Sequence, residues 1–274
     1  MAKFGFFKSK NLWLPRLSGA LRCVEENPTS SQKDLARCMG VNQPVAASFS
    51  NWLRHTGLVT VERKKGSSSL SYELTPVGAL IAEHDPQMVD LGTQWLLHYY
   101  LATEHEQRSD AWYTLFNHFL SPSMSFTGKE YKAYFRRLKE QEHNNYNGFE
   151  SDAQAALYTY YNREKSLGAL ELLTKEKKGY TAGNPHYPDI LVVGFMLFDW
   201  WKRHYDYSNT LRFSQLCEGE GSLGRLCVAT RSQIRRFVVE LTGLGYLTFS
   251  DTQHEPVNRL NNDEPHRLLE RYYE

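Results

Sequence analysis

The sequence predicts a mainly α-helical fold in which two winged helix-turn-helix modules flank a helical middle domain. Three observations lead to this prediction. A helix-turn-helix pattern followed by two β-prone runs occupies Ser31–Thr75, an aromatic-rich helical block follows it, and the segment from Ile190 onward repeats the layout of the first module. The predicted domains are therefore residues 1–84, 85–184 and 185–274.

The first module begins with a predicted helix at Gln32–Cys38, which Gly40 ends by tolerating a left-handed backbone. Asn42 is predicted to cap a second helix, Gln43–Thr56, whose first turn accommodates Pro44. Apolar residues in this second helix fall at i, i+4, i+7 and i+8, which predicts one buried stripe. The stripe consists of Val45, Phe49, Trp52 and Leu53.

The opposite face of the second helix is predicted to read double-stranded DNA. It carries Gln43, Ala47, Ser50, Asn51 and Arg54. Amide and hydroxyl side chains with one arginine can reach base edges in a major groove while the helix stays close to the duplex. A module used only for dimerisation or protein docking is the alternative.

Two β-prone runs, Leu58–Glu62 and Leu70–Leu74, predict a hairpin after this helix. Its basic turn contains Arg63, Lys64 and Lys65, which suit phosphate contacts that position a protein on DNA without reading sequence. Residues 1–84 hold 11 Lys and Arg against 6 Asp and Glu, whereas the whole chain has a net charge of +1. This local excess favours DNA as the partner.

The middle domain is acidic overall, with 11 Lys and Arg against 13 Asp and Glu in residues 85–183. Helical periodicity and two capping boxes, at Thr127 and Ser151, predict five helices here. They are Leu91–Ala102, Asp110–Leu120, Thr127–Glu142, Ser151–Tyr161 and Arg163–Leu173. A basic, turn-rich linker with solvated charges is predicted from Lys175 to Pro185.

In the third region the sequence predicts a strongly apolar helix at Ile190–Tyr205, a shorter helix from Phe213, and a third helix at Thr230–Leu241. Three arginines of the third helix point away from its buried stripe and are predicted to contact DNA. They are Arg231, Arg235 and Arg236. The glycine-rich loop Glu218–Gly224 lacks the lysine of a phosphate-binding loop, which disfavours nucleotide binding.

A last helix, Pro265–Tyr273, is predicted to dock on a neighbouring segment or on a partner subunit, and a homodimer is expected. The composition, 41% hydrophobic and 14% aromatic, is typical of a globular protein. No run approaches the roughly 18 apolar residues of a membrane span and no signal-peptide layout is present, so a cytoplasmic protein without membrane contact is expected. Four cysteines without a CxxC pair are expected to be reduced core thiols, with metal ligands as the alternative: Cys23, Cys38, Cys217 and Cys227.

Several short blocks, one near the start of the chain and the others around the first domain boundary, carry a family resemblance. They are Phe7–Leu14, Leu74–Gly78, His84–Pro86, Gly92–His98, Ala111–Tyr113 and Phe116–Asn117. In this order they resemble the SspB-like proteins, classed as domain of unknown function 4007. The resemblance implies a role in bacterial DNA phosphorothioation and antiphage defence, with DNA binding and nicking. The partners it implies are a cysteine desulfurase, an ATPase and an ATP-pyrophosphatase-like protein.

Nicking would require groups that activate water and stabilise the phosphorus centre, usually Mg²⁺ or Mn²⁺ held by carboxylates. The best candidates are Asp85, His98 and His105, of which the first two lie in the blocks that carry the resemblance. His98 and His105 would share a face if one helix ran through both. The structural alternatives are a helix N-cap for Asp85 and a hydrogen-bonded core position for His98. Phe4 stands where the family opening carries a histidine. A transcriptional regulator without enzymatic activity is the alternative function.

Overall fold

The computed structural model describes residues 11–63, 69–104, 110–141, 149–260 and 263–274. Within these ranges the protein is mainly helical, as predicted, and its strands form small three-stranded antiparallel sheets. None of the helices in these ranges has the length and apolar character needed to cross a membrane.

The first region contains the two helices and the hairpin that the sequence predicts. Its elements are α1 (Leu14–Glu26), β1 (Thr29–Ser31), α2 (Gln32–Cys38), α3 (Gln43–His55), β2 (Val59–Arg63), β3 (Ser69–Leu74) and α4 (Pro76–His84). The strand β1 is too short for a sequence pattern to reveal. It pairs with β3, with Ser30 opposite Leu70, so the sheet order is β1-β3-β2.

Cys23 of α1 and Cys38 of α2 form a disulfide, so the prediction that these two cysteines are reduced is wrong. The packing of α1 against α2 brings their Cα atoms to 6.0 Å although they lie 15 residues apart. Residue spacing could not predict this bond, because the two cysteines lie on different helices. Cys217 and Cys227 are free thiols, and Cys227 is fully buried.

The middle region contains four of the five predicted helices. Its elements are α5 (Leu91–Ala102), α6 (Asp110–Thr114) continuing as a π-helix (Leu115–Phe119), β4 (Ser125–Phe126), α7 (Gly128–Gln141), α8 (Phe149–Tyr161), a 3₁₀ turn (Leu167–Leu170), β5 (Leu173–Lys175) and β6 (Tyr180–Ala182). The predicted helix Arg163–Leu173 is wrong, since only the 3₁₀ turn forms there. The predicted linker is instead the β5–β6 hairpin, which pairs with β4 in the order β4-β6-β5.

The third region repeats the element order of the first with one additional short helix, α11. Its elements are α9 (Ile190–Tyr205), β7 (Thr210–Arg212), α10 (Phe213–Glu218), α11 (Leu223–Leu226), α12 (Arg231–Gly243), β8 (Leu247–Phe249), β9 (Pro256–Arg259) and α13 (His266–Tyr273). The strand order β7-β9-β8 matches β1-β3-β2 of the first region, so the predicted internal repetition is present in the topology.

The last helix, α13, docks within the chain. It packs on α9 and α4, the Tyr272 hydroxyl donates to the Asp90 carboxylate at 2.7 Å, and the Tyr273 ring stacks on His84 with centroids 5.4 Å apart. Buried residues of all three regions belong to one connected apolar core. The prediction of a docked last helix is therefore confirmed with an intramolecular site. The homodimer stays a prediction.

Candidate nucleic-acid interface

The helix α3 is anchored by the apolar stripe that the sequence predicts. The Asn42 side chain accepts the Val45 N–H at 3.1 Å and caps the helix. Val45, Phe49, Trp52 and Leu53 are all buried, and the Trp52 ring meets Trp112 edge-on with centroids 5.3 Å apart. Since α1 and α2 cover the buried side, the remaining face of α3 points outward.

Fewer residues are exposed on the outward face of α3 than the sequence predicts. Gln43 is exposed, and Ala47, Asn51 and Arg54 are partly exposed. Ser50 is only 4% exposed and shares a 3.0 Å hydrogen bond with the Tyr72 hydroxyl on β3, so its predicted place on the DNA-reading face is wrong. Burial also lowers the pKa of the Arg54 guanidinium, which lies near Tyr72 on this side of the sheet.

The bond between Ser50 and Tyr72 should stabilise the fold and leave DNA affinity unaffected. Ser50→Ala and Tyr72→Phe are each expected to lower the free energy of unfolding by about 1–2 kcal/mol, because each leaves a buried hydroxyl without its partner. The double variant should lose about 1 kcal/mol less than the sum. Urea denaturation of the four proteins measures this coupling. Strictly additive losses would show that the two hydroxyls do not interact.

The basic turn between β2 and β3 is only partly within the described residues. The strands pair from Val59 opposite Leu74 to Arg63 opposite Leu70, so the hairpin itself is present. Lys64 and Lys65 lie outside the described residues, as does the side chain of Arg63. Phosphate contacts by these three cations stay a prediction.

The predicted DNA-contacting arginines of α12 differ in their surroundings. Arg231 forms an ion pair with Glu255, and Arg235 pairs with Asp251 and, at 3.7 Å, with Glu255. Each of these two guanidinium groups also lies over a phenylalanine ring of the same region. Arg236 is exposed on a shallow groove of α12. Two of the three positive charges are therefore balanced within the protein, which leaves Arg236 as the better placed phosphate contact on this helix.

Asp85 has a structural position at the end of α4. It is 8% exposed, and its carboxylate accepts the backbone N–H groups of Val89 at 3.2 Å and Asp90 at 2.9 Å. The expected N-cap role is wrong, because the next helix begins at Leu91 and is capped by Asp90. Asp85 instead closes the turn between α4 and α5.

His98 is fully buried and bonded through both ring nitrogens. The Leu226 carbonyl can only accept, so Nε2 carries the proton and donates to it at 3.0 Å, while Nδ1 accepts from the Tyr160 hydroxyl at 2.8 Å. Burial lowers the pKa of His98 to about 3, against a smaller opposing effect of the Leu226 carbonyl. The side chain is thus a neutral link between α5, α8 and α11 and does not reach solvent.

The structure describes two of the three predicted catalytic residues and does not join them in one site. Asp85 and His98 bond to different partners, and His105 lies outside the described residues. The helix α5 ends at Ala102 and Thr103 is extended, so one helix does not run through both histidines. Among the residues that the structure describes, no three His, Cys, Asp or Glu side chains are grouped so that they could hold a metal ion.

The comparisons with known proteins agree with this architecture. The model of a family described as protein of unknown function (DUF4007) matches residues 2–273. The chain belongs to the DUF4007 family. Two solved structures, "Magnesium ion-bound SspB crystal structure" and "SspB crystal structure", superpose with TM-scores of 0.83 and 0.82. Each is 15% identical and aligns over 100% of this chain and 88% of the other, which shows a shared fold. No curated protein matches the chain.

Three of the blocks that resemble the DUF4007 family lie at contacts between distant segments: Leu74–Gly78, Ala111–Tyr113 and Phe116–Asn117. A Cβ on Gly78 would lie 1.9 Å from the Leu58 carbonyl oxygen. The close approach of α4 to the residue before β2 therefore requires a glycine at position 78. Tyr113 donates to the Glu220 carboxylate at 2.7 Å, and the Asn117 side-chain oxygen accepts the Gly221 N–H at 2.6 Å. These blocks therefore identify the DUF4007 fold through its packing.

The glycine-rich loop in this DUF4007 chain serves packing as well. Gly221 has a φ of +71°, and a Cβ on Gly224 would lie 2.0 Å from the Cys217 carbonyl oxygen. The loop packs on the π-helix, where the His118 ring lies 3.8 Å from the Glu220 carboxylate and both side chains are partly exposed. Sequence reasoning missed this pair, because the two residues lie in different regions and neither belongs to a spaced motif.

Proposed function

We propose that this protein is the DNA-engaging component of a bacterial DNA phosphorothioation antiphage-defence system. In this proposal the first region acts as a winged helix-turn-helix module that places α3 in the major groove of duplex DNA. The observation that carries it is the outward face of α3, where Gln43, Asn51 and Arg54 stand beside a hairpin whose turn is basic. Amide and guanidinium groups on an outward helix face are suited to hydrogen bonds with base edges in the major groove.

The comparisons support the system in which this DNA binding would act. The chain has the fold of SspB and belongs to the DUF4007 family. We further propose that the protein is cytoplasmic and that it works with a cysteine desulfurase, an ATPase and an ATP-pyrophosphatase-like protein. In this proposal it binds DNA as a homodimer.

Nicking of one DNA strand for sulfur incorporation is a second step of the proposal. One similar SspB structure contains a magnesium ion, and Mg²⁺ could supply Lewis-acid stabilisation of the phosphate. The described residues of this chain offer no three-ligand group for such an ion. No cleavage step is therefore assigned to named residues, and DNA engagement is the part that the geometry supports.

DNA binding by α3 can be tested at two amide side chains of its outward face. Preferred duplexes are first selected from a random library, and affinities for them are then measured by fluorescence anisotropy. Gln43→Ala combined with Asn51→Ala is expected to weaken binding to the selected duplex at least about 30-fold, as the loss of each of the two base contacts costs about 1–3 kcal/mol. The matched control, Gln87→Ala combined with Gln253→Ala, removes two exposed amides elsewhere and should leave affinity unchanged. Equal affinities of the two double variants would exclude α3 as the DNA-reading helix.

The alternative function is a transcriptional regulator without enzymatic activity, which the same α3 face would serve. A regulator should select one long operator and leave supercoiled plasmid intact with Mg²⁺, with Mn²⁺ and with EDTA. A modification component should select a short motif that occurs many times in a genome. An open-circular product that forms with metal and disappears with EDTA would support the nicking step and exclude the regulator.

A further inference from the structure

Positive charge in the middle region is concentrated in two segments. The region is acidic overall, with 11 Lys and Arg against 13 Asp and Glu in residues 85–183. Eight of those 11 cations lie in α7 or in the turn-forming part of the β5–β6 hairpin, together with three glutamates. The eight are Lys129, Lys132, Arg136, Arg137, Lys139, Lys175, Lys177 and Lys178. We call them the α7–hairpin surface.

The sheet brings the two segments together. In the β4–β6 pair Phe126 stands opposite Tyr180, so the start of α7 follows directly beside the hairpin turn. A Cβ on Gly179 would lie 2.4 Å from the Phe126 carbonyl oxygen, which shows how closely the turn approaches the chain that enters α7. The turn itself is closed by the Glu176 N–H, which donates to the Gly179 carbonyl at 2.9 Å. Lys177 and Lys178 therefore stand beside the first turn of α7.

The packing of α7 leaves its cations in solvent. Tyr131 and Phe135 are buried, and the Tyr131 hydroxyl donates to the Ala153 carbonyl of α8 at 2.8 Å. On the opposite face Lys129, Lys132 and Arg136 follow each other at i, i+3 and i+7 and span about 10 Å along the helix. Seven of the eight cations are exposed and Lys139 is half-buried.

The three glutamates of the same segments, Glu130, Glu140 and Glu176, leave an excess of five positive charges. The Glu130 carboxylate accepts the N–H and the hydroxyl of Thr127 as a capping box, and Glu176 accepts the Thr181 hydroxyl at 2.6 Å. Arg136 has an ion pair with Glu150 of α8 at 3.4 Å, in which both side chains are more than half exposed. An exposed pair of this kind contributes little and can be replaced by a phosphate.

We propose that the α7–hairpin surface binds the phosphate backbone of duplex DNA as a second contact, separate from α3. A convex row of exposed cations without a cavity suits a continuous line of phosphates. Single-stranded DNA is disfavoured, because proteins that bind it offer aromatic rings for base stacking. Here Phe126 is only 4% exposed, and the partly exposed Tyr180 has one face stacked on it with ring centroids 5.4 Å apart. This inference rests on the proposed DNA binding and adds a surface to it.

The test compares two triple variants of the full chain with the same change in net charge. Lys132→Gln/Lys177→Gln/Lys178→Gln removes three cations of the surface. Arg163→Gln/Lys202→Gln/Arg267→Gln removes three exposed cations elsewhere, which pair with Glu171, Glu264 and Asp263. Affinity for a 30-base-pair duplex is measured from about 50 to 300 mM salt. The surface variant should lower the slope of log affinity against log salt by about 2–3, as each lost phosphate contact accounts for about 0.9.

A second measurement does not depend on variants. Acetylation of lysines in the wild-type protein, read by mass spectrometry, should be slowed by duplex DNA at Lys129, Lys132, Lys177 and Lys178 and unchanged at Lys202. If the wild type binds duplex DNA but slope and acetylation do not respond at this surface, the inference is wrong and the proposed function stands. If the wild type does not bind duplex DNA, the proposed function fails first. If the surface variant loses more affinity for single-stranded than for duplex DNA, the assignment to duplex is wrong.

Discussion

Acidification from pH 7 to pH 4.5 is expected to lower the free energy of unfolding by about 2–3 kcal/mol through His98 alone. Burial lowers the pKa of His98 to about 3 in the folded protein, against an ordinary value of 6.5. Below pH 6.5 the unfolded chain therefore binds a proton at this residue that the folded protein does not bind. The stabilisation is complete above pH 6.5 and is lost as the pH falls toward 3, at about 1.4 kcal/mol per pH unit.

Two histidine variants isolate this effect from the other titrating groups. His98→Gln keeps an N–H that can donate to the Leu226 carbonyl but does not titrate. At pH 7 it should be less stable than the wild type by about 2 kcal/mol, because the bond to the Tyr160 hydroxyl and the ring packing are lost. At pH 4.5 the difference should vanish. His254→Gln, at an exposed position, should follow the wild type at every pH.

Urea denaturation between pH 4.5 and pH 8 measures these differences. Parallel stability curves for the wild type and His98→Gln would show that His98 does not titrate as its burial requires. The experiment also bears on the predicted catalytic role, because a neutral histidine bonded at both nitrogens cannot accept a proton from water without unfolding its surroundings. An unchanged nicking activity in a folded His98→Gln protein would agree with that conclusion.

Local signals predict most helices of this fold. The helices α2, α5 and α9 have the bounds that the sequence predicts, and α3 differs only at its last residue. Caps such as Thr230, which forms the predicted capping box with Gln233, act within one helical turn. Apolar periodicity also depends on neighbours within the same helix, so a single sequence is sufficient for these elements.

The misassignments arise where distant segments decide the outcome. Ser50 lies at the edge of the buried stripe of α3, and only the position of Tyr72 on β3 decides that it is covered. The Lys175–Pro185 segment resembles a linker because β5 and β6 have only three residues each, too few for an alternating pattern. The same limit applies to the candidate site, since the pairing of Arg231 and Arg235 with acidic residues near β9 cannot be seen in α12 alone.

Gly78→Ala is expected to destabilise the protein by about 3 kcal/mol, or to lower the melting temperature by about 6–12 °C. The new methyl group would lie 1.9 Å from the Leu58 carbonyl oxygen, a backbone atom that cannot rotate away. That oxygen already accepts the Thr75 N–H at 3.1 Å, and the Gly78 N–H donates to the Thr75 hydroxyl at 2.9 Å. Relief of the clash would therefore separate α4 from β2 and break the cap of α4.

Gly19→Ala in α1 is the matched control, because a Cβ at Gly19 meets no atom within 4 Å. Alanine is the better helix former by about 1 kcal/mol, so this variant should melt at a slightly higher temperature than the wild type. The two variants add the same methyl group to a helical glycine and should change stability in opposite directions. Thermal unfolding followed by circular dichroism measures both. A Gly78→Ala protein with the melting temperature of the wild type would show that the close approach of α4 to Leu58 does not stabilise the first region. The Leu74–Gly78 block would then reflect something other than packing.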